Sequence, residues 1–361
     1  VHMWSINMNT DNLSNDQLID ARKMIGQLVK QARTQTKHET CLFCGQNLPF
    51  CNSHTVPQFC LKNIADNGKV NLFNALIGTE LLSSDSGVKN SGTFHIICRQ
   101  CDGTIFQDYE NPQAYSDTPT SKILNQIALK NVLRDIYKHE TELEMIKSAK
   151  RILHEKEPFL AIVADVYFNS QIKARSQDIK DCYDIFDAIK ANLNIASPSV
   201  HLVSFDKLNY VVPIAFQGMI ALITGVSGEL INNQYNYNSD YSVEYFHLAI
   251  FPLENSSVII TFSDDKNSRI LTFEKELKNM SAAKRLEIIN RIVFWYAEDY
   301  FFSPRLPKEA ASELEQAARQ MQDLFSTNPE KSTKNAIKDF DLRRDTCLPN
   351  LLSQEYAISH F

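Results

Sequence analysis

Two cysteine pairs, Cys41-Leu-Phe-Cys44 and Cys98-Arg-Gln-Cys101, stand 53 residues apart in a chain of 361. A C-x-x-C turn offers two thiolates from one tight knuckle, and two such knuckles complete a tetrahedral four-cysteine zinc site. Any fold that uses them must bring position 41 beside position 98 and close the intervening chain into a loop. Gly45, directly after the first pair, suits a knuckle that needs a positive φ. Of the other four cysteines, Cys51 and Cys60 have no close partner, and Cys182 and Cys347 read as buried thiols. Eight cysteines in so long a chain, half of them in C-x-x-C pairs, favour reduced thiols and a metal over a disulfide framework.

Inside the loop lies CNSHTVPQFC, residues 51–60. Taken alone, His54 reads equally as a zinc ligand, a core histidine or a general base. Its setting narrows this: Ser53-His54-x-x-Pro57 falls between the two cysteine pairs, and Asp102 follows the last cysteine at once. The arrangement resembles the HNH endonucleases, also called His-Me finger or ββα-metal nucleases, in the members built on a four-cysteine zinc site. The resemblance covers about residues 37–112. It implies a treble-clef or ββα-metal module in which Cys41, Cys44, Cys98 and Cys101 hold structural zinc. It also implies that His54 takes a proton from the attacking water and that Asp102 binds a catalytic Mg²⁺ or Mn²⁺, hard ions that prefer oxygen.

One position departs from the family pattern. The residue before the base is usually an aspartate or another metal ligand, and here it is Ser53, a weak ligand. Glu110, eight residues past Asp102, is the candidate second ligand. Asp108 and His95 are weaker candidates, read more simply as a solvated helix charge and a hydrogen-bonded strand histidine.

The net charge of −6 argues against a general polyanion binder. Residues 37–110 hold five basic side chains against seven acidic ones, so DNA affinity must come from flanking basic residues or from oligomerisation. The flanking candidates are Arg22, Lys23, Lys30 and Arg33 on one side and Lys122, Lys130 and Arg134 on the other. The longest apolar run, 210–226, contains Pro213, Gln217 and Gly218 and is shorter than a membrane span. It reads as a buried strand or strand pair. The leading Val-His-Met reads as a tag remnant with no signal sequence after it, and the expected location is cytoplasmic.

The expected fold class is α+β. Residues 1–36 form an N-terminal helix over 14–32, and 37–112 form the zinc module, with 83–93 as a loop or hairpin tip. Residues 113–157 form a helical connector, one helix or a broken pair, with Pro119 in its first turn. Residues 158–361 form a separate α+β domain with a helix over 174–193, strands at 200–205, 244–251 and 257–262, and helices at 281–301 and 307–326. No phosphate-binding glycine loop, dinucleotide fingerprint or G-x-S-x-G turn occurs.

The expected function is a metal-dependent endonuclease cutting phosphodiester bonds, in DNA rather than RNA. By analogy with bacterial defence effectors, its C-terminal domain would sense a small-molecule or protein activator, with the Asn/Tyr-rich stretch 233–246 as a candidate ligand loop. A homo-oligomer is compatible with this reading, and a membrane partner is not expected. The rival is a non-catalytic zinc module for protein or nucleic-acid contacts, supported by Ser53 and the low basic content.

Overall fold

The computed structural model describes residues 14–73, 82–89, 91–193, 199–233, 236, 238, 240–297, 299–314, 340–343 and 348–358. The chain is of mixed α+β class. Its centre is a seven-stranded sheet in the order β3-β2-β9-β6-β7-β8-β5, antiparallel at every pairing. The strands are β2 (Lys69–Phe73), β3 (Leu82–Gly87), β5 (Val200–Leu208), β6 (Ile214–Ile220), β7 (Phe246–Pro252), β8 (Ser257–Asp264) and β9 (Phe301–Phe302).

The central strands FHLAIFP and SVIITFSD are rich in β-branched and aromatic residues and are apolar on both faces, as befits a strand covered on each side. Alternate residues serve two cores. Phe216, Leu248, Ile250 and Ile259 face a cluster with Phe273 and Leu277 of α6 (Leu271–Asn279) and Ile289 and Ile292 of α7 (Ala282–Tyr296). Ala215, Ala249, Phe251 and Ile260 face the opposite cluster, built with Ile127, Leu133 and Ile136 of α4 (Ser121–Lys156) and with the cysteine-rich module.

Helix α1 (Asn15–Gln35) lies where the period placed it and packs on α4. The connector is one unbroken helix of 36 residues, α4, capped by Thr120, whose hydroxyl accepts from the Ile123 amide. Pro119 therefore stands before the cap and not in the first turn. A single residue, Glu157, separates α4 from α5 (Pro158–Asn192), which returns along it. Helix α5 begins sixteen residues ahead of the expected 174, because Pro158 supplies a ready first helical position. Segment 83–93 is not all loop. Its first part belongs to β3, an edge strand held by backbone pairing with β2, which a Ser/Asp/Gly composition does not advertise. Helix 307–326 is described only to residue 314, and Cys347 lies outside the described residues. Among the described residues no helix is long and apolar enough to cross a membrane.

The sheet does not stop at residue 158. Strand β2 of the cysteine-rich module pairs with β9 (Asn71 with Phe302, Leu72 with Phe301), and β9 pairs with β6. The second core likewise joins Val56, Leu61 and Ile64 to Phe251, Ile260 and Phe301. A chain cut to 158–361 would expose that whole face. Such a fragment is expected to aggregate or to melt without a cooperative transition in calorimetry; a soluble fragment with a sharp transition would contradict the shared core.

Candidate functional site

The loop that begins after α1 carries the first cysteine pair. Gly45, at φ 71°, lets the chain turn so that its amide donates to the Cys41 carbonyl at 2.8 Å, and the Cys41 amide donates to the Gln46 carbonyl at 2.9 Å. The second pair caps α3 (Arg99–Ile105): Cys98 is the N-cap residue, and its sulfur accepts from the Cys101 amide at 3.4 Å. The Cys98 amide donates to the Cys41 sulfur at 3.2 Å. All four sulfurs lie within 4.8 Å of one another, an arrangement able to bind a zinc ion. Burial opposes ionisation of Cys41, yet the amides of Cys44, Cys98 and Phe43 outweigh it and bring the thiol to about 7.

Between the pairs, β1 (Ser53–His54) runs antiparallel to β4 (Thr93–Phe94), with Ser53 opposite Phe94 and His54 opposite Thr93. The turn into β4 uses Gly92 at φ 59°, where an added Cβ would fall 2.3 Å from the Phe301 ring. Helix α3 follows β4 and carries Asp102 in its first turn. Two short paired strands thus lie between the cysteine pairs along the chain, and α3 carries Cys101.

His54 is half-buried, and its Nε2 lies 3.1 Å from the Val88 carbonyl oxygen. A carbonyl only accepts, so Nε2 carries the ring proton and Nδ1 keeps its lone pair. Burial lowers the pKa of His54; the Val88 bond pulls it upward and the Lys130 charge adds to the lowering. Burial therefore favours the neutral imidazole, with its Nδ1 lone pair available.

Asp102 is held by an unexpected partner. Lys130, fully buried on α4, donates to Asp102 Oδ1 at 2.8 Å and to Ser53 Oγ at 2.8 Å, and Ser53 Oγ donates to the same Asp102 oxygen at 2.6 Å. Glu110 Oε1 is 3.3 Å from the same ammonium, which sits 3.8 Å from the Phe106 ring centroid. Burial pushes the Asp102 carboxyl up, but Lys130 and the Ser53 hydroxyl prevail and hold it below the usual carboxylate range. Glu110 moves the other way, raised by burial against the pull of Lys130, with Asp102 adding to the rise.

Asp102 and Glu110 therefore converge, though not as expected. Helix α3 ends at Ile105, and Glu110 reaches the cluster from the turn beyond it. Asp108 points to Lys122 at 2.6 Å and to Gln126 at 3.1 Å, outside the cluster. His95 is exposed just past β4; partial burial and the charges of Arg33 and Lys37 lower its pKa, and it joins no metal-competent group. Among the described residues, the four cysteines form the one group of three or more His, Cys, Asp or Glu side chains with converging ligand atoms. As arranged, Asp102 and Glu110 do not fit a divalent ion, because an ammonium already fills the space between them.

Lys130 was read from the sequence as a flanking DNA contact, and it is withdrawn from the surface. Arg134 pairs with Asp135 and Asp299, and Lys122 with Asp108. The signal for Lys130 lay in its helical neighbours, since Ile127 and Leu133, three residues to either side, are both buried. No protein-family model, curated protein or solved structure matches the chain.

Two outcomes follow from this geometry. Purified protein is expected to carry about one zinc per chain by elemental analysis, lost in Cys98→Ser together with thermal stability. Lys130→Met removes the cation that Asp102 and Glu110 share, and chemical denaturation should show a loss of stability below the about 3–5 kcal/mol of a fully buried pair, because the two carboxylate side chains keep 21% and 39% of their surface exposed.

Proposed function

We propose that the chain is an endonuclease of the HNH type, hydrolysing phosphodiester bonds in DNA, with His54 as general base and a structural zinc on Cys41, Cys44, Cys98 and Cys101. The observation that carries this reading is the 3.1 Å contact between His54 Nε2 and the Val88 carbonyl oxygen. A neutral imidazole with Nε2–H spent on the Val88 carbonyl has one remaining function, a proton-accepting Nδ1. It stands on a strand whose preceding residue, Ser53, is bonded to the carboxylate that opens α3. In such a site Nδ1 would take the proton of an attacking water, and the zinc would fix α3 against the β1–β4 ladder. The cation that the family resemblance assigns to Asp102 is not built into this account, since Lys130 stands in its place.

DNA contact then falls to exposed Lys30 and Arg33 on α1 and to Lys37 beside it, on the side of the module that carries His95. The described residues of the candidate ligand loop 233–246 are bonded to the segment ahead of α6. Within the described part of that loop, Arg269 donates to the Ser242 carbonyl and Asn232, and stacks on Tyr241. Glu244 accepts from the amides of Ser268, Arg269 and Ile270 ahead of α6. These are bonds that shape a loop.

One observation favours the rival, a zinc module without catalysis: Lys130 ties β1, α3 and α4 together through Ser53 and Asp102, a structural role. The two readings part on supercoiled plasmid. His54→Ala should reduce nicking by about 10²–10⁴-fold with zinc content and thermal melting unchanged; equal nicking by the variant and wild type would leave the non-catalytic reading. The acid limb of the pH–rate profile provides an independent check. Because the pKa of His54 is lowered, that limb should lie below 6.5, the ordinary histidine value. In kcat/KM, which reports the free protein, a limb above 6.5 would count against His54 as the titrating base.

A further inference from the structure

We infer that Lys130 is the resident cation of the Asp102–Glu110 pair and excludes a divalent ion from it. The inference rests on the HNH-type reading of the site, and it concerns what that reading would place there. An ammonium has three donors and no acceptor. Here three oxygens stand around Lys130 Nζ, from Asp102 at 2.8 Å, Ser53 at 2.8 Å and Glu110 at 3.3 Å, with the Phe106 ring on a further side. No donor is left over.

One carboxylate oxygen is full as well. A carboxylate oxygen offers two lone pairs, and Asp102 Oδ1 already receives the Lys130 ammonium and the Ser53 hydroxyl. A Mg²⁺ or Mn²⁺ bound to that oxygen at about 2.1 Å would stand close to the ammonium and be repelled by its charge. The departure at position 53 belongs to the same device. Where the family pattern has a further metal ligand, Ser53 both accepts from Lys130 and donates to Asp102, something a carboxylate cannot do.

Lys130 also has no easy way out. Its side chain is fully buried, and it projects from the third turn of a 36-residue helix whose neighbouring residues are core. Withdrawal would strand the ammonium in apolar surroundings, which is far costlier than keeping it paired.

The test is Mn²⁺ titration of full-length, zinc-loaded protein, followed by electron paramagnetic resonance of the free ion. It needs no DNA and no turnover. Wild type and Asp102→Asn should give the same binding curve. Lys130→Gln should gain one site at least tenfold tighter than any in wild type, and Lys130→Gln with Asp102→Asn should lose it. A wild-type Mn²⁺ site that disappears in Asp102→Asn overturns the proposal, as does a Lys130→Gln protein of native zinc content and circular dichroism that gains no site. If Lys130→Gln does not fold, the comparison of wild type with Asp102→Asn decides by itself. The HNH-type reading fails on a different result, undiminished nicking by His54→Ala, so the two failures cannot be confused.

Discussion

The ammonium of Lys130 can be buried only because three oxygens from three separate pieces of chain meet it. An unpaired charge in such surroundings would cost many kcal/mol, so its partners are not optional. Ser53 comes from β1, Asp102 from α3 and Glu110 from the turn after α3, while Lys130 itself comes from α4. Satisfying one ammonium therefore fixes the register of the β1–β4 ladder and of α3 against the long helix. The cysteine cluster does the same work from the other side, tying the knuckle at Cys41 to the N-terminus of α3. The module is held at two points, one at the four cysteines and one at an ion pair, and Asp102 lies directly after the last of those cysteines.

What the sequence disclosed follows from how local each signal was. The two C-x-x-C pairs, each a single turn, announced a four-sulfur cluster, and the structure brings those sulfurs together. Helical periods placed α1 and α7, and continuous apolar runs placed β7 and β8. Asp102 and Glu110 were singled out and do converge, although on a lysine. Features that depend on distant partners were not legible. Strand β9 is two residues long, and nothing in Phe301-Phe302 says that they bridge β2 to β6. Helix α6 escaped notice because its start is organised by Glu244, a residue 26 positions before Ile270. Lys130 was misread because a lysine is ordinarily a surface residue, and only its oxygen partners, 20 or more positions away in sequence, make burial tolerable.

The expected boundary at 158 shows the same limitation from another angle. A change of character at a proline is a fair sign of a new unit, and Pro158 does start a new helix. Yet α4 and α5 form one hairpin, and the core beneath α4 is shared between the cysteine-rich module and the sheet strands β6, β7 and β8. Composition registers the change in local structure; it does not register which faces are later covered by the same helix.

That shared core reaches the histidine itself. The oxygen that fixes the ring proton on Nε2 belongs to Val88, which follows β3, the edge strand of the large sheet. The Val88 amide donates to the Gly68 carbonyl just ahead of β2, and the turn from Val88 to β4 passes Gly92, packed against the Phe301 ring of β9. The Gly92 carbonyl in turn accepts from the Thr55 amide, one residue past His54. The sheet therefore holds both ends of the short path on which the tautomer of His54 depends. A displacement of β9 or of the β2–β3 pair would move the Val88 oxygen relative to the ring, and with it the choice of which nitrogen is basic. Phe301 of β9 therefore belongs, with β2 and β3, to the scaffold that sets the proton of His54.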